Sequence, residues 1–295
     1  MLEAPSRSPG TSRHRRDLCP GVLRPWRADD GALVRLRLVG GRVRAGQLAA
    51  LSRVATAYGD GGVHLTARAN LQLRGLAHHD GVLPDEVVAA IEATGLLPTR
   101  SHELVRNVMV SPPGPGARAD LAPVAARLDV LVCADPALAG LPGRFLWVLD
   151  SGRGDLLDRP LDLGLVALDE VTAQLRVGAD GWGETVALAD AATRLASLAA
   201  RFQVLRGTGP GAPWHVDELP AELRSRLAAR VTRDPRTHVH ADPAPYDDHH
   251  VEAPGGVLDA PLVARLTDRV HPDDELVVTP WHGVQIPLPL PEAPR

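Results

Sequence analysis

The sequence predicts an α+β fold on three observations: a strand–helix–strand unit opens the patterned part of the chain, the same plan returns near the C-terminus, and the region between alternates helices with short apolar strands. Residues 1–18 are rich in Ser, Pro and Arg without periodicity and read as a mobile tail. Val34, Leu36 and Leu38 then alternate with Arg35 and Arg37, the period of a half-buried strand, and Gly40-Gly41 supplies a turn. Leu48, Leu51, Val54, Ala55 and Tyr58 recur at helical spacing until Gly59-Asp-Gly-Gly62 stops them. From Val63 to Arg74 the pattern becomes strict alternation and predicts one strand. Its odd positions are apolar, and its even positions are His64, Thr66, Arg68, Asn70, Gln72 and Arg74. A solvated sheet face usually collects interchangeable charges. This mixed set of donors and acceptors is suited to holding a polar ligand.

Near the C-terminus Leu262, Val263, Leu266 and Val270 form a helical stripe, His271-Pro-Asp-Asp a turn, and Leu276–Leu288 a strand. A constant offset pairs Thr66 with Thr279 and Gln72 with Gln285, while Arg68 falls on Trp281. Two half units combining into one pseudo-symmetric assembly are therefore expected. In the middle region a helix is predicted from Asp120 to Val132, strands at Arg144–Asp150, Leu161–Leu168 and Thr172–Val177, and a helix along Leu195, Leu198, Phe202 and Leu205 that ends at Gly207. Pro- and His-rich sequence from Asp234 to Pro254 reads as a linker.

Composition narrows the function. A chain of 295 residues with 44% hydrophobic content can bury a sizeable core, and a net charge of −4 gives no footprint for nucleic acid. No apolar run is long enough for a membrane span and no apolar h-region follows the N-terminal charges, so a cytoplasmic protein without membrane partners is expected. Cys19 and Cys133, the only two cysteines, can form neither a disulfide framework nor a four-cysteine zinc site. The chain contains no lysine, so a side-chain cation must be arginine or protonated histidine. His238-Val-His240 and Asp247-Asp-His-His250 read as solvated linker residues, not as a metal site. Gly207-Thr-Gly-Pro-Gly211 follows a helix, the wrong context for a phosphate loop.

Cys19-Pro-Gly-Val-Leu, Asp30-Gly31, Gly40-Gly41-Arg42, Gly61 and His64-Leu-Thr-Ala-Arg-Ala-Asn-Leu-Gln-Leu-Arg-Gly75 together resemble the ferredoxin-like half domain that opens nitrite and sulfite reductases. The resemblance continues through Leu104-Val-Arg-Asn-Val-Met-Val-Ser-Pro112, Leu141-Pro-Gly-Arg-Phe145, Asp150-Ser-Gly152 and Thr279-Pro-Trp281, with wording similar to the precorrin-3B synthase branch of that family. It implies two ferredoxin-like half domains, residues 19–98 and 242–295, around a siroheme-type α/β domain, residues 99–241. It also implies a site for siroheme or a related tetrapyrrole lined by Arg68, Asn70, Gln72, Arg74, Arg106, Asn107 and Arg144. Such a ligand carries about eight carboxylates, which guanidinium groups pair with bidentately. Arg144 stands where a lysine is usual in the family, which keeps the charge but changes its donor geometry, and Leu146 stands where sulfite reductases carry a second lysine, which argues against sulfite reduction. His282 stands where precorrin-3B synthases commonly have Arg. The family's [4Fe–4S] cluster needs about four Cys thiolates, which this sequence does not hold, so either a second polypeptide supplies that segment or oxygen activation proceeds without it. The implied function is a precorrin-3B synthase-like oxidoreductase of cobalamin biosynthesis. A tetrapyrrole-binding or assembly protein without a redox centre, and a nitrite/sulfite reductase-like fragment, are the alternatives.

Overall fold

The computed structural model describes residues 17–239 and 249–286. The tail through Arg16, the residues His240, Asp247 and Asp248, and the segment after Ile286 lie outside the described residues. The first unit contains β1 (Trp26–Ala28), β2 (Gly31–Leu36), β3 (Arg42–Arg44), α1 (Ala45–Tyr58), β4 (Val63–Leu65), β5 (Leu71–Leu76) and α2 (Asp85–Ala93). The middle region contains β6 (Val108–Val110), α3 (Ala122–Ala134), β7 (Trp147–Asp150), β8 (Leu163–Ala167), β9 (Thr172–Val177), β10 (Trp182–Ala187), α4 (Leu188–Arg206) and α5 (Ala221–Leu227). The last unit contains β11 (His250–Glu252), β12 (Val257–Leu258), α6 (Ala260–Thr267), β13 (Glu275–Val278) and β14 (Gly283–Gln285).

The expected single strand from Val63 to Arg74 is a hairpin. Thr66 N–H donates to the Asn70 carbonyl (3.0 Å) and Ala69 N–H donates back to the Thr66 carbonyl (2.9 Å), so the chain reverses between β4 and β5. Ala69 takes the left-handed conformation, with φ of 55°. Alternation survives on both sides of the turn, and this is why the sequence read as one strand. The second repeat does the same. Thr279 N–H donates to the Gly283 carbonyl (2.9 Å), His282 N–H to the Thr279 carbonyl (3.3 Å), and His282 has φ of 60°. The predicted strand Leu276–Leu288 is thus also a hairpin over its described part.

The two repeats complete each other's sheets. One sheet has the order β1-β2-β5-β4-β12 and another the order β11-β14-β13-β3. β12, from the last unit, pairs antiparallel with β4, and β3, from the first, pairs antiparallel with β13. Each lent strand immediately precedes its unit's helix, and α1 packs on α6. Leu36, Leu48, Leu51, Leu71 and Leu73 from the first unit share one buried core with Leu262, Val263, Leu276 and Val284 from the last. The middle sheet, order β10-β9-β8-β7-β6, is parallel across β6, β7 and β8 and antiparallel across β8, β9 and β10. Every residue of β7 and β8 is buried, which explains their continuous apolar sequence. α3 and α4 cover one face of that sheet around Phe145, Trp147 and Phe202.

Gly41 controls the exchange of β3. It has φ of 71°, its carbonyl accepts from Val278 N–H (2.8 Å), and a methyl group there would run into the Val278 carbonyl oxygen. Gly41→Ala should therefore cost about 2 kcal/mol or more and lower the thermal midpoint measured by circular dichroism.

Candidate functional site

Three motif segments meet through two buried amides. Asn70 Oδ1 accepts from Leu38 N–H (2.9 Å), Asn70 Nδ2 donates to Asn107 Oδ1 (3.2 Å), and Asn107 Nδ2 donates to the Gly143 carbonyl (2.8 Å). The Thr66 hydroxyl accepts from Asn70 N–H at 3.1 Å, tying the turn to the same residue. Both asparagines are about 1% exposed, so their side chains are spent on fastening the half domain to the middle sheet. What they fasten are three arginines: Arg68 in the hairpin turn, Arg106 beside Asn107, and Arg144 beside Gly143.

These arginines have different fates. Arg106 is committed to a bidentate pair with Asp129 on α3, through Nε (2.6 Å) and an Nη (2.8 Å), and a ligand carboxylate would have to displace that aspartate. Arg144 lies over the Trp214 ring at 5.4 Å, with its Nε 3.9 Å from Asp17, and its side chain is half exposed. Asp17, assigned to the mobile tail from sequence, is instead an organiser: its carboxylate accepts from Cys19 N–H (3.0 Å) and from Gly143 N–H. Arg68 and Arg144 both act electrostatically on Arg35, whose pKa is lowered by burial first and by these two guanidinium groups in addition.

Arg35 and Arg37 were used in the sequence reading only to define a strand. In the structure Arg35 stands opposite Gln72, which stands opposite His64, so Arg35, Gln72 and His64 form a row across β2, β5 and β4. The His64 ring is bonded to Asp60 at 2.7 Å. Arg37 is 3% exposed and donates to the Pro20 (3.1 Å) and Glu103 (3.2 Å) carbonyls. Burial, then the neighbouring Arg35, pull its pKa down to about 10. Arg74 is the outlying member, with its Nε 3.6 Å from Asp30. The signal for Arg35 and Arg37 was present in their shared strand face.

Two further motifs have mainly structural work. The Asp150 carboxylate accepts from Gly152 (2.8 Å), Gly154 (2.9 Å) and Leu156 (3.0 Å) N–H groups and shapes the loop after β7. Trp281, the counterpart of Arg68, packs with Met109, Leu146, Val148, Leu156 and Leu161 on the other face of the middle sheet. Equivalent turns thus present a cation in one repeat and an indole in the other.

The residues fit one family cofactor and not the other. Arg35 Nε is buried without a hydrogen-bond acceptor, as a cradle for carboxylates would leave it. The thiols do not fit an iron–sulfur cluster. Cys19 and Cys133 are both free, burial raises the pKa of each, and Asp17 and Asp129 respectively raise it further. Among the described residues no group of three or more His, Cys, Asp or Glu could hold a metal ion.

Residues 27–80 match the family described as nitrite/sulfite reductase ferredoxin-like half domain. The fold is similar to that of the NirA protein of Mycobacterium tuberculosis, with a TM-score of 0.63 and 16% identity over 88% of this chain and 54% of that one. Residues 27–80 are thus similar to a nitrite/sulfite reductase ferredoxin-like half domain, and the chain shares the fold of NirA. A stretch of 63 residues is 41% identical to a precorrin-3B synthase from a Sinorhizobium species, covering 21% of this chain and 14% of that protein. The chain therefore spans only part of the length of the relatives it matches.

Asn70→Ala would leave the Leu38 N–H and the Asn107 amide oxygen buried without partners, and should cost about 2–3 kcal/mol in a denaturant titration. A pH effect follows from Glu103, whose carboxylate accepts from Val22 (2.7 Å) and Leu23 (3.1 Å) N–H groups. Burial raises its pKa above the ordinary 4.5. Its protonation favours the fold, so this contribution is fully present below the ordinary value and is lost as pH rises through the raised one. Melting curves across that interval should show a loss of stability with rising pH that Glu103→Gln removes.

Proposed function

We propose that this chain binds a carboxylate-rich tetrapyrrole of the siroheme or precorrin class as a precorrin-3B synthase-like oxidoreductase of cobalamin biosynthesis. One observation carries the reading: Arg35, Arg68 and Arg144 gather at the junction of half domain and middle sheet, where the Asn70–Asn107–Gly143 hydrogen bonds fix the segments that bear them. Guanidinium groups stay charged at any working pH and match carboxylates in geometry, so the cluster can hold and orient the rim of such a macrocycle. An iron tetrapyrrole, when bound, supplies the redox chemistry. The chain's own residues hold carboxylates and set the ring's orientation. Leu146, buried in the apolar cluster beneath Trp281, puts hydrocarbon where the family's second lysine stands, which disfavours a small anion such as sulfite.

The two cysteines of this sequence, too few for the about four thiolates of a cluster, favour a second reading, a tetrapyrrole-binding or assembly protein that has no redox centre of its own. The two readings separate on turnover: an enzyme converts a bound precorrin in an oxygen- or electron-dependent way, and a binding protein does not.

Siroheme titration followed by absorption on anaerobically purified protein tests the common part. Arg68→Ala and Arg144→Ala should each weaken binding about tenfold or more, the value of one charge-assisted hydrogen bond. Arg106→Ala, which strands Asp129, should lower stability more than affinity. Unchanged affinity in both the Arg68 and Arg144 variants would remove the site.

A further inference from the structure

We infer that Trp214 is a positioning residue of this site, whose ring carries the Arg144 guanidinium and orients it for a ligand carboxylate. The inference rests on the tetrapyrrole reading above and adds a residue outside the segments that carry the family resemblance. Arg144 lies over the Trp214 ring, 5.4 Å from its centre. That is within the range at which a cation is attracted to an aromatic face, and Trp offers the strongest such face. The attraction uses the ring face and no hydrogen bond, so the in-plane N–H donors of the guanidinium stay free for a carboxylate.

The ring is itself fixed to the strand behind Arg144. The Asp162 carboxylate, on a residue 1% exposed, accepts from Leu146 N–H (2.9 Å), just past Arg144, and from Val216 N–H (2.8 Å), just past Trp214. His215 Nδ1 stands 3.2 Å from the same carboxylate. One buried carboxylate therefore spans the segment that bears the cation and the segment that bears the ring, and keeps the two in register. The loop is fastened twice more. Trp214 N–H donates to the Glu218 carboxylate (2.8 Å), and Arg206 Nε, at the end of α4, donates to the Pro213 carbonyl (2.7 Å).

Arg144 needs such a support. Its backbone is set on both sides, by the Asn107–Gly143 hydrogen bond before it and by Phe145, which packs on Trp147 and Phe202, after it. Its side chain is half exposed, and a long side chain free to explore rotamers loses that freedom when it grips a ligand. Asp17 gives it little direction, because that carboxylate is 3.9 Å from Arg144 Nε and is engaged with the Cys19 and Gly143 N–H groups. The ring therefore sets the orientation, and part of the ordering is complete before a ligand arrives. It also keeps the guanidinium with the cationic group, since Arg144 is near enough to Arg35 to act on it electrostatically.

Trp214 should act through Arg144, and a double-mutant cycle reads this directly. In siroheme titrations Trp214→Leu should lose about three- to tenfold in affinity, and Trp214→Phe, which keeps a weaker ring face, should fall between it and wild type. In an Arg144→Ala background Trp214→Leu should change affinity by less than about twofold. A loss of the same size in both backgrounds would overturn the inference, because Trp214 would then act on the fold or touch the ligand itself. Wild-type affinity in Trp214→Leu, or a Phe variant as weak as Leu, would overturn it while leaving the tetrapyrrole reading intact. Should Trp214→Leu not fold, Trp214→Met decides: it keeps a flexible apolar side chain without a ring face, and full wild-type affinity there is incompatible with the inference. Failure of the wild type to bind siroheme would overturn the reading and the inference together.

Discussion

The hydrogen bond between Asn70 and Asn107 is the constraint on which the arrangement depends. It joins two separate cores, one built by the repeats and the other by the middle sheet with α3 and α4. Its partners extend the link to Leu38 on one side and Gly143 on the other. An amide offers a donor and an acceptor in fixed geometry, so two facing amides can join four backbone or side-chain groups without burying a charge. The segments that bear Arg68, Arg106 and Arg144 are thereby fixed through their backbone, and Arg106, with Asp129 in reach, is drawn into a structural pair.

The reciprocal strand exchange explains how an internal repeat came to hold an asymmetric site. Because β3 completes the sheet of the last unit and β12 that of the first, neither repeat can close its sheet alone, and their common core forces them into one body. The turns at Thr66–Ala69 and Thr279–His282 keep the same hydrogen bonds and the same left-handed residue, so backbone geometry preserves the symmetry. Side chains break it. Arg68 joins the cationic group, and Trp281 seals the apolar cluster that includes Leu146. Pseudo-symmetry thus gives two equivalent frames, and one residue in each decides whether it presents charge or hydrocarbon.

Much of this was legible in the sequence. The middle strand Thr172–Val177, the helices α1 and α4, and the repeat offset followed from periodicity, since burial on one face writes its period directly into the chain. The hairpins did not, because the turn after β4 preserves the parity of alternation and carries no glycine where its left-handed residue stands at Ala69. β3 and β12 were missed for another reason. Strands of three and two residues have no periodicity of their own, and their partners lie across the repeat. For the site, motif resemblance found the segments but not the division of labour within them. Asn70 and Asn107 proved to be fasteners, and Arg106 found an aspartate that lies 23 positions away in sequence.

Under the proposed function, the placement of the arginines matches the chemistry of a multiply charged ligand. A protein that must hold many carboxylates cannot pair each of its cations internally, because an internal carboxylate would compete with the ligand at close range. It must instead maintain some guanidinium groups near one another and partly dehydrated, at a cost to the free fold. Rigid tethers make that possible. Arg37 is held by the Pro20 and Glu103 carbonyls, and Arg144 stacks over the Trp214 ring with its Nε 3.9 Å from Asp17. Neither matches the short bidentate pair of Arg106 with Asp129 on the same motif. Under the proposed function, the geometry of the partner is therefore what separates an arginine open to exchange with a ligand carboxylate from the one that stabilises α3.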